Sequence, residues 1–155
     1  MPATIARERP DSPDAVSLIT ELDTHLAELY PAASRHGFSV ERLVGEGVHF
    51  FVLRSDGVAA GCGGILLVDD AADPYGEVKR MYVRPGYRGS GFGRLILEHL
   101  AEHARANGVA LLRLETGIYQ REGIALYERL GFVRIPPFGP YFVDPLSLCY
   151  ERRLG

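Results

Sequence analysis

The sequence predicts a mixed α/β fold, with a central sheet that begins antiparallel, continues through strand-helix-strand units and carries helices on both faces. Three observations lead there. Two β-rich runs, residues 48–55 and 58–68, are separated by Asp56-Gly57, a dipeptide suited to a two-residue hairpin because both positions tolerate φ > 0. A third β-rich run, residues 75–83, passes through Gly89, Gly91 and Gly93 into an amphipathic segment. A further strand-like run at 109–115 is followed by a helical pattern at 118–130.

The first element is a short alternating strand at residues 4–9. Ser12-Pro13 then offers a helix N-cap with proline at the first helical position. Val16, Ile19, Leu22, Leu26 and Leu29 recur at spacings of three and four, which predicts one apolar face of a helix ending at Pro31. A short helical piece fits residues 40–44 before Gly45 and Gly47. Asp69, Asp70, Asp73 and Pro74 form a loop between the hairpin and the third run. In the helix after the glycines, Ile96, Leu97, Leu100, Ala101 and Ala104 share a face, and Asn107-Gly108 supplies a left-handed stop. Gly131 is placed to end the last helix, and a final strand is expected at 146–152.

Length and composition exclude several classes of function. The 155 residues suit one domain with a single core. A formal net charge of -3 gives no basic field for nucleic acid, so an anionic ligand would be held by local groups. No apolar run is long enough to span a membrane, and residues 1–10 lack the apolar core of a signal peptide, so a cytoplasmic protein is expected. Cys62 and Cys149 have no metal-ligand spacing and are read as buried thiols. No metal site is expected.

The segment Arg88-Gly89-Ser90-Gly91-Phe92-Gly93-Arg94 runs from a strand into a helix start. Alternate glycines allow close backbone approach, and the free N–H groups of a helix N-terminus favour an anion such as a diphosphate. Three glycines by themselves also fit a plain tight turn. A P-loop would require Gly-Lys-Ser/Thr, whereas Gly93 precedes Arg94 and Leu95. A dinucleotide fingerprint needs Gly-x-Gly-x-x-Gly within a parallel unit, and here the spacing is Gly-x-Gly-x-Gly after a hairpin.

The stretch Arg88 to Gly93 resembles the Gln/Arg-x-x-Gly-x-Gly/Ala signature of the GCN5-related N-acetyltransferases (GNAT). A second signature of that superfamily, Leu-Tyr-x-x-x-Gly-Phe, is matched by Leu126-Tyr127 through Gly131-Phe132. The resemblance spans nearly the whole chain. Residues 77–83, 114–117, 138–141 and 144–147 are similar to those of small bacterial acetyltransferases whose substrates are mostly unassigned.

This resemblance implies the GNAT fold, with a splayed strand pair at an acetyl-CoA site. It assigns cofactor binding to the backbone of Met81, Tyr82 and Val83, to Arg88, Gly89, Ser90, Gly91, Phe92, Gly93 and Arg94, and to Gln120 and Tyr127. Gln120 stands where many relatives carry an asparagine that bonds the pantetheine. Tyr127 is the candidate acid for the departing thiolate, because a phenol is protonated at neutral pH; its helical spacing with Gly123, Leu126 and Leu130 also fits an ordinary core position.

Glu77 lies eleven residues before Arg88, the offset of the catalytic glutamate in histone-acetylating members, and strand alternation puts it on one face with Lys79, Met81 and Val83. An ion pair with Lys79 or Arg80 is the plainer reading of that carboxylate. Glu115 is an alternative base. Tyr30, Arg35, His36 and Tyr141 are candidates to line the acceptor pocket. The basic pair Lys79-Arg80 fits a substrate carboxylate, a diphosphate or a solvated charge.

The implied reaction is acetyl transfer from acetyl-CoA to the amine of a small molecule through a ternary complex. A noncatalytic acyl-CoA sensor and a protein or peptide N-acetyltransferase are the alternatives. Homodimers are common in the family.

Overall fold

The structure is a computed structural model that describes residues 2–69 and 72–155. The predicted loop residue Asp70 lies outside the described residues. Among those described, the strands are β1 (Ala3–Arg7), β2 (His49–Ser55), β3 (Val58–Val68), β4 (Tyr75–Val83), β5 (Leu111–Gly117), β6 (Val133–Ile135) and β7 (Ser147–Arg153). They form a sheet in the order β1-β2-β3-β4-β5-β7-β6. Neighbours are antiparallel except β4 and β5, which run parallel. The helices are α1 (Pro13–Leu29), α2 (Val40–Gly45), α3 (Phe92–Ala106) and α4 (Arg121–Arg129).

Local chemistry explains most boundaries. Asp56 (φ 51°) and Gly57 (φ 81°) both adopt left-handed conformations, so the β2-β3 hairpin closes in the two-residue turn expected of this dipeptide. Ser12 Oγ accepts from the Ala15 N–H at 3.2 Å and Pro13 begins α1, which stops at extended Tyr30 before Pro31. The buried face of α1 is Ala15, Leu18, Ile19 and Leu22. Val16, expected on that face, is exposed, because Ala15 completes the i, i+3, i+4, i+7 set that ends at Leu22.

The starts of β5 and α4 differ from expectation, and one short strand has no counterpart among the expected elements. Gly108 (φ 75°) ends α3, and the Val109 N–H closes back onto Ala104 O, so β5 begins at Leu111. The last helix starts at Arg121 because residues 117–120 form a turn, in which Gln120 Oε1 accepts from the Gly117 N–H at 3.0 Å. Strand β6 is too short to leave a periodic signal, and it exists through pairing with β7.

The sheet is packed on both faces. Phe51, Leu53, Ile65, Leu112 and Leu114 meet Ile96, Leu97 and Leu100 of α3. On the other face Phe50, Val52 and Cys62 meet Ala15, Leu18 and Ile19 of α1 and Leu43 of α2. Both cysteines are buried free thiols, and burial pushes the Cys62 thiol up to about 12.

One irregularity overturns the expected face assignment in β4. Cys62 pairs with Tyr82 and Gly64 with Lys79, so Gly63 stands opposite two residues, Arg80 and Met81. Arg80 absorbs this bulge at φ 56°, a conformation that costs a non-glycine residue about 1 kcal/mol or more. Side-chain alternation therefore slips by one. Glu77 and Lys79 share the α1 face with Tyr82, while Met81 and Val83 pack toward α3. A Cβ at Gly63 would lie 2.8 Å from both Met81 Sδ and Ile96, which places Met81 on the α3 side.

Candidate active site

Strands β4 and β5 pair only at Gly76 with Leu112 and at Glu77 with Arg113. Beyond Glu77 they separate, and the edge of β4 that faces β5 carries no strand. The opening is lined by Glu77, Lys79, Arg80 and Met81 from β4 and by Leu114, Glu115 and Thr116 from β5. Gln120 and Tyr127 approach from the α4 side, and Leu22, Leu26 and Tyr30 from α1 and its end. Ser34 to Gly37 and Tyr141 close the rest. Tyr30, Arg35, His36 and Tyr141, the candidates to line an acceptor pocket, all reach this opening.

The glycine loop lies at the C-terminal end of β4, where open α/β sheets bind ligands. Gly89 (φ 85°) and Gly91 (φ 80°) are left-handed, and Gly91 caps α3 without any side-chain hydrogen bond. Among the described residues, the backbone N–H groups of residues 89–94 find no partner. A run of free donors at a helix start suits a diphosphate. A Cβ on Gly89 or Gly91 would meet open space, whereas one on Gly93 would come within 3.0 Å of Leu126, so Gly93 serves the approach of α3 to α4. Phe92 is buried, leaving only its backbone to the loop. Arg88 donates from Nε to Val83 O at 2.9 Å, and Arg94 is exposed.

The two candidate bases differ sharply in environment. Glu77 is buried, and its Oε2 holds Lys79 Nζ at 2.9 Å and accepts a short hydrogen bond from the Tyr141 hydroxyl. Lys79 Nζ also lies 2.8 Å from Tyr141 Oη and 3.9 Å from the centre of the Phe38 ring. Burial, followed by the charge of Glu77, raises the Tyr141 phenol well above its ordinary value. Glu115 accepts a hydrogen bond from Ser147 Oγ at 2.6 Å and has no ion-pair partner among the described residues. Burial raises its carboxyl above the ordinary range, opposed by Ser147, His36 and Lys79 and aided by Glu77.

Tyr127 is the buried residue of α4, and its hydroxyl makes no hydrogen bond among the described residues. Burial, and next the charge of Glu115, push its phenol up to about 12. Gln120 is engaged on one side, its Oε1 accepting from the Gly117 N–H and from Tyr30 Oη at 3.2 Å. Tyr30 Oη in turn accepts from the Tyr119 N–H at 2.9 Å, tying the end of α1 to the β5-α4 turn.

The solvated-charge reading of Lys79 and Arg80 is overturned, because both are buried: Lys79 pairs with Glu77 and Arg80 with Asp23 of α1. Sequence reasoning also missed Ser147 and Asp23. Ser147 reaches Glu115 because β7 inserts beside β5, a long-range pairing with no local signal.

The fold and the opening define an acyl-CoA-dependent transferase. Residues 16–132 match the Acetyltransferase (GNAT) family, and the chain belongs to it. It is 48% identical over 151 residues to an "IAA acetyltransferase" of Azospirillum brasilense, covering 97% of both chains. Among solved structures, a candidate acyl-CoA N-acyltransferase of Klebsiella pneumoniae superposes with a TM-score of 0.82 at 35% identity, over 99% of this chain and 98% of that one. A PaiA N-acetyltransferase of Thermoplasma acidophilum, solved with coenzyme A, shares the fold with a TM-score of 0.77 at 18% identity, over 99% of each chain. The protein is thus an acetyltransferase that uses acetyl-CoA as cosubstrate, and the noncatalytic sensor reading falls away. Among the described residues no helix is long and apolar enough to cross a membrane.

Proposed function

We propose that this enzyme acetylates the amine of a small molecule by direct attack in a ternary complex, with Glu115 as proton acceptor and Tyr127 as proton donor. The observation that carries the reading is that a carboxyl with raised proton affinity and a protonated phenol line one opening between β4 and β5. The name of the Azospirillum relative supports a small acceptor.

Acetyl-CoA, when bound, supplies the activated acetyl group. The N–H groups of residues 89–94 hold its diphosphate, and the edge of β4 at Met81 to Val83 that faces away from β3, where β5 does not pair, receives the pantetheine and the thioester oxygen. Glu115 takes the proton that the amine sheds as its lone pair forms the new N–C bond and the C–S bond breaks. Tyr127 gives its proton to the sulfur that leaves with the electron pair, and solvent restores it. A phenol near 12 matches this task because the desolvation that raises it also raises a thiol in the same opening. Glu77, paired with Lys79 and hydrogen-bonded by the Tyr141 hydroxyl, orients the β4 wall. Neither cysteine supplies a thiolate nucleophile, since both are buried with their thiols raised, which favours direct attack over an acyl-enzyme.

Thiol release from acetyl-CoA, followed across a panel of primary amines, tests the reaction. Intersecting initial-velocity lines are the expected result, and a parallel, ping-pong pattern defeats the ternary-complex reading. The cofactor loop is tested separately by Gly91→Val, which puts a branched side chain into the open space at a left-handed residue. Acetyl-CoA affinity is expected to fall more than about tenfold by calorimetry. Wild-type affinity in a folded Gly91→Val protein refutes the placement.

A further inference from the structure

We infer that the acetyl acceptor carries a carboxylate besides its amine, and that Arg80 and Arg35 receive it. This rests on the small-molecule reading above and names its substrate class.

Arg80 is a buried cation with donors left over. Its side chain is only 3% exposed, and its hydrogen bonds run from Nη2 alone, to Ile19 O at 3.5 Å and to Asp23. Nε is buried without a partner, and Nη1 lies against Gly37 with no bond of its own. Asp23 is itself 58% exposed, so the charge of Arg80 is answered only from the solvent side. Buried guanidinium groups are normally satisfied on most of their donors, and the planar fork matches a carboxylate. Arg35 lines the same opening, is exposed, and has no acidic group within ion-pair distance among the described residues.

The remaining charged groups at the opening do not cancel these two. Lys79 and Glu77 neutralise each other. His36 packs edge-on against Tyr141 and Phe142, and its influence on Glu115 is attractive. Glu115 stands on β5, whereas Arg35 follows α1 and Arg80 reaches toward it. The opening is therefore polarised, with a carboxyl for the amine on one wall and incompletely paired guanidinium groups for an acid on the other. An amino acid has that polarity.

The test compares acetylation of L-amino acids with that of their carboxamides, which keep the amine and side chain and remove the negative charge, again by thiol release. The acids are expected to exceed their amides in kcat/KM by at least about tenfold, mainly through KM. Arg35→Ala, at an exposed position, is expected to narrow that ratio at least about fivefold, and Arg80→Gln to narrow it further in a protein shown to be folded by thermal melting. Turnover of the amides with an equal or better kcat/KM overturns the inference and leaves the small-molecule reading standing. A preference for acids that neither variant narrows removes the two arginines and overturns it as well. No turnover of either series, with acetyl-CoA still bound, overturns the inference, and the small-molecule reading then stands or falls with the panel of primary amines.

Discussion

Tyr127→Phe is expected to lower kcat by about 10- to 1000-fold at pH 7 on an acceptor for which chemistry limits the rate. The substitution removes one oxygen and keeps the ring, which packs edge-on against Phe132 at 5.8 Å. The hydroxyl makes no hydrogen bond among the described residues, so its loss breaks no internal contact and the melting temperature should hold. Acetyl-CoA affinity should hold too, because the diphosphate is assigned to the loop at 89–94. The defect should shrink as pH rises, since a thiolate leaving group with an ordinary pKa near 8.5 needs less protonation in alkaline solution. Wild-type kcat at pH 7 removes Tyr127 from the mechanism, whereas a lowered melting temperature with intact kcat assigns it to the core.

Glu115→Gln should produce a loss of similar size, about 10- to 1000-fold in kcat, and it should also change the pH dependence. In the wild type, kcat/KM should rise with pH as the raised carboxyl of Glu115 ionises. The limb due to this group should vanish in the variant. Stability moves the opposite way. A carboxyl whose folded pKa exceeds its unfolded value contributes stability that is complete below the unfolded value and is lost as pH rises through the folded one. Once pH passes the raised pKa, the ionised, buried Glu115 therefore costs stability, and glutamine avoids that cost while still accepting from Ser147 Oγ. The melting temperature of the variant should gain on that of wild type as pH rises, with the difference closing toward acid pH. Glu77→Gln should instead lower the melting temperature, because it leaves Lys79 buried without its counter-ion. Full activity in Glu115→Gln, with the loss found in Glu77→Gln, would reverse the two assignments.

What could be read from the sequence was encoded over short distances. Asp56-Gly57 specified a turn because both residues tolerate positive φ, and Gly108 and Gly131 (φ 75° and 91°) ended helices for the same reason. The limits of β4 at Tyr75 and Val83 followed from a β-rich run between turn residues. The glycine loop and the Leu-Tyr-x-x-x-Gly-Phe segment each fit within a few positions, which is why the family was visible without coordinates.

The tertiary structure decided how these pieces face one another. A one-residue bulge at Arg80 turns Met81 to the α3 side and leaves Glu77 and Lys79 on the α1 side, and strand alternation cannot anticipate it, because the extra residue is defined only against Gly63 on the neighbouring strand. The insertion of β7 between β5 and β6 brings Ser147 to Glu115, and the approach of residue 141 brings a phenol to Glu77. These contacts separate two carboxylates that look equivalent in the sequence, giving Glu77 the partners Lys79 and Tyr141 and Glu115 the partner Ser147. The sequence by itself determined the turns, the helix ends and the family; which carboxyl is free, which arginine is short of partners and which way the β4 side chains point were set by contacts between residues far apart in the chain.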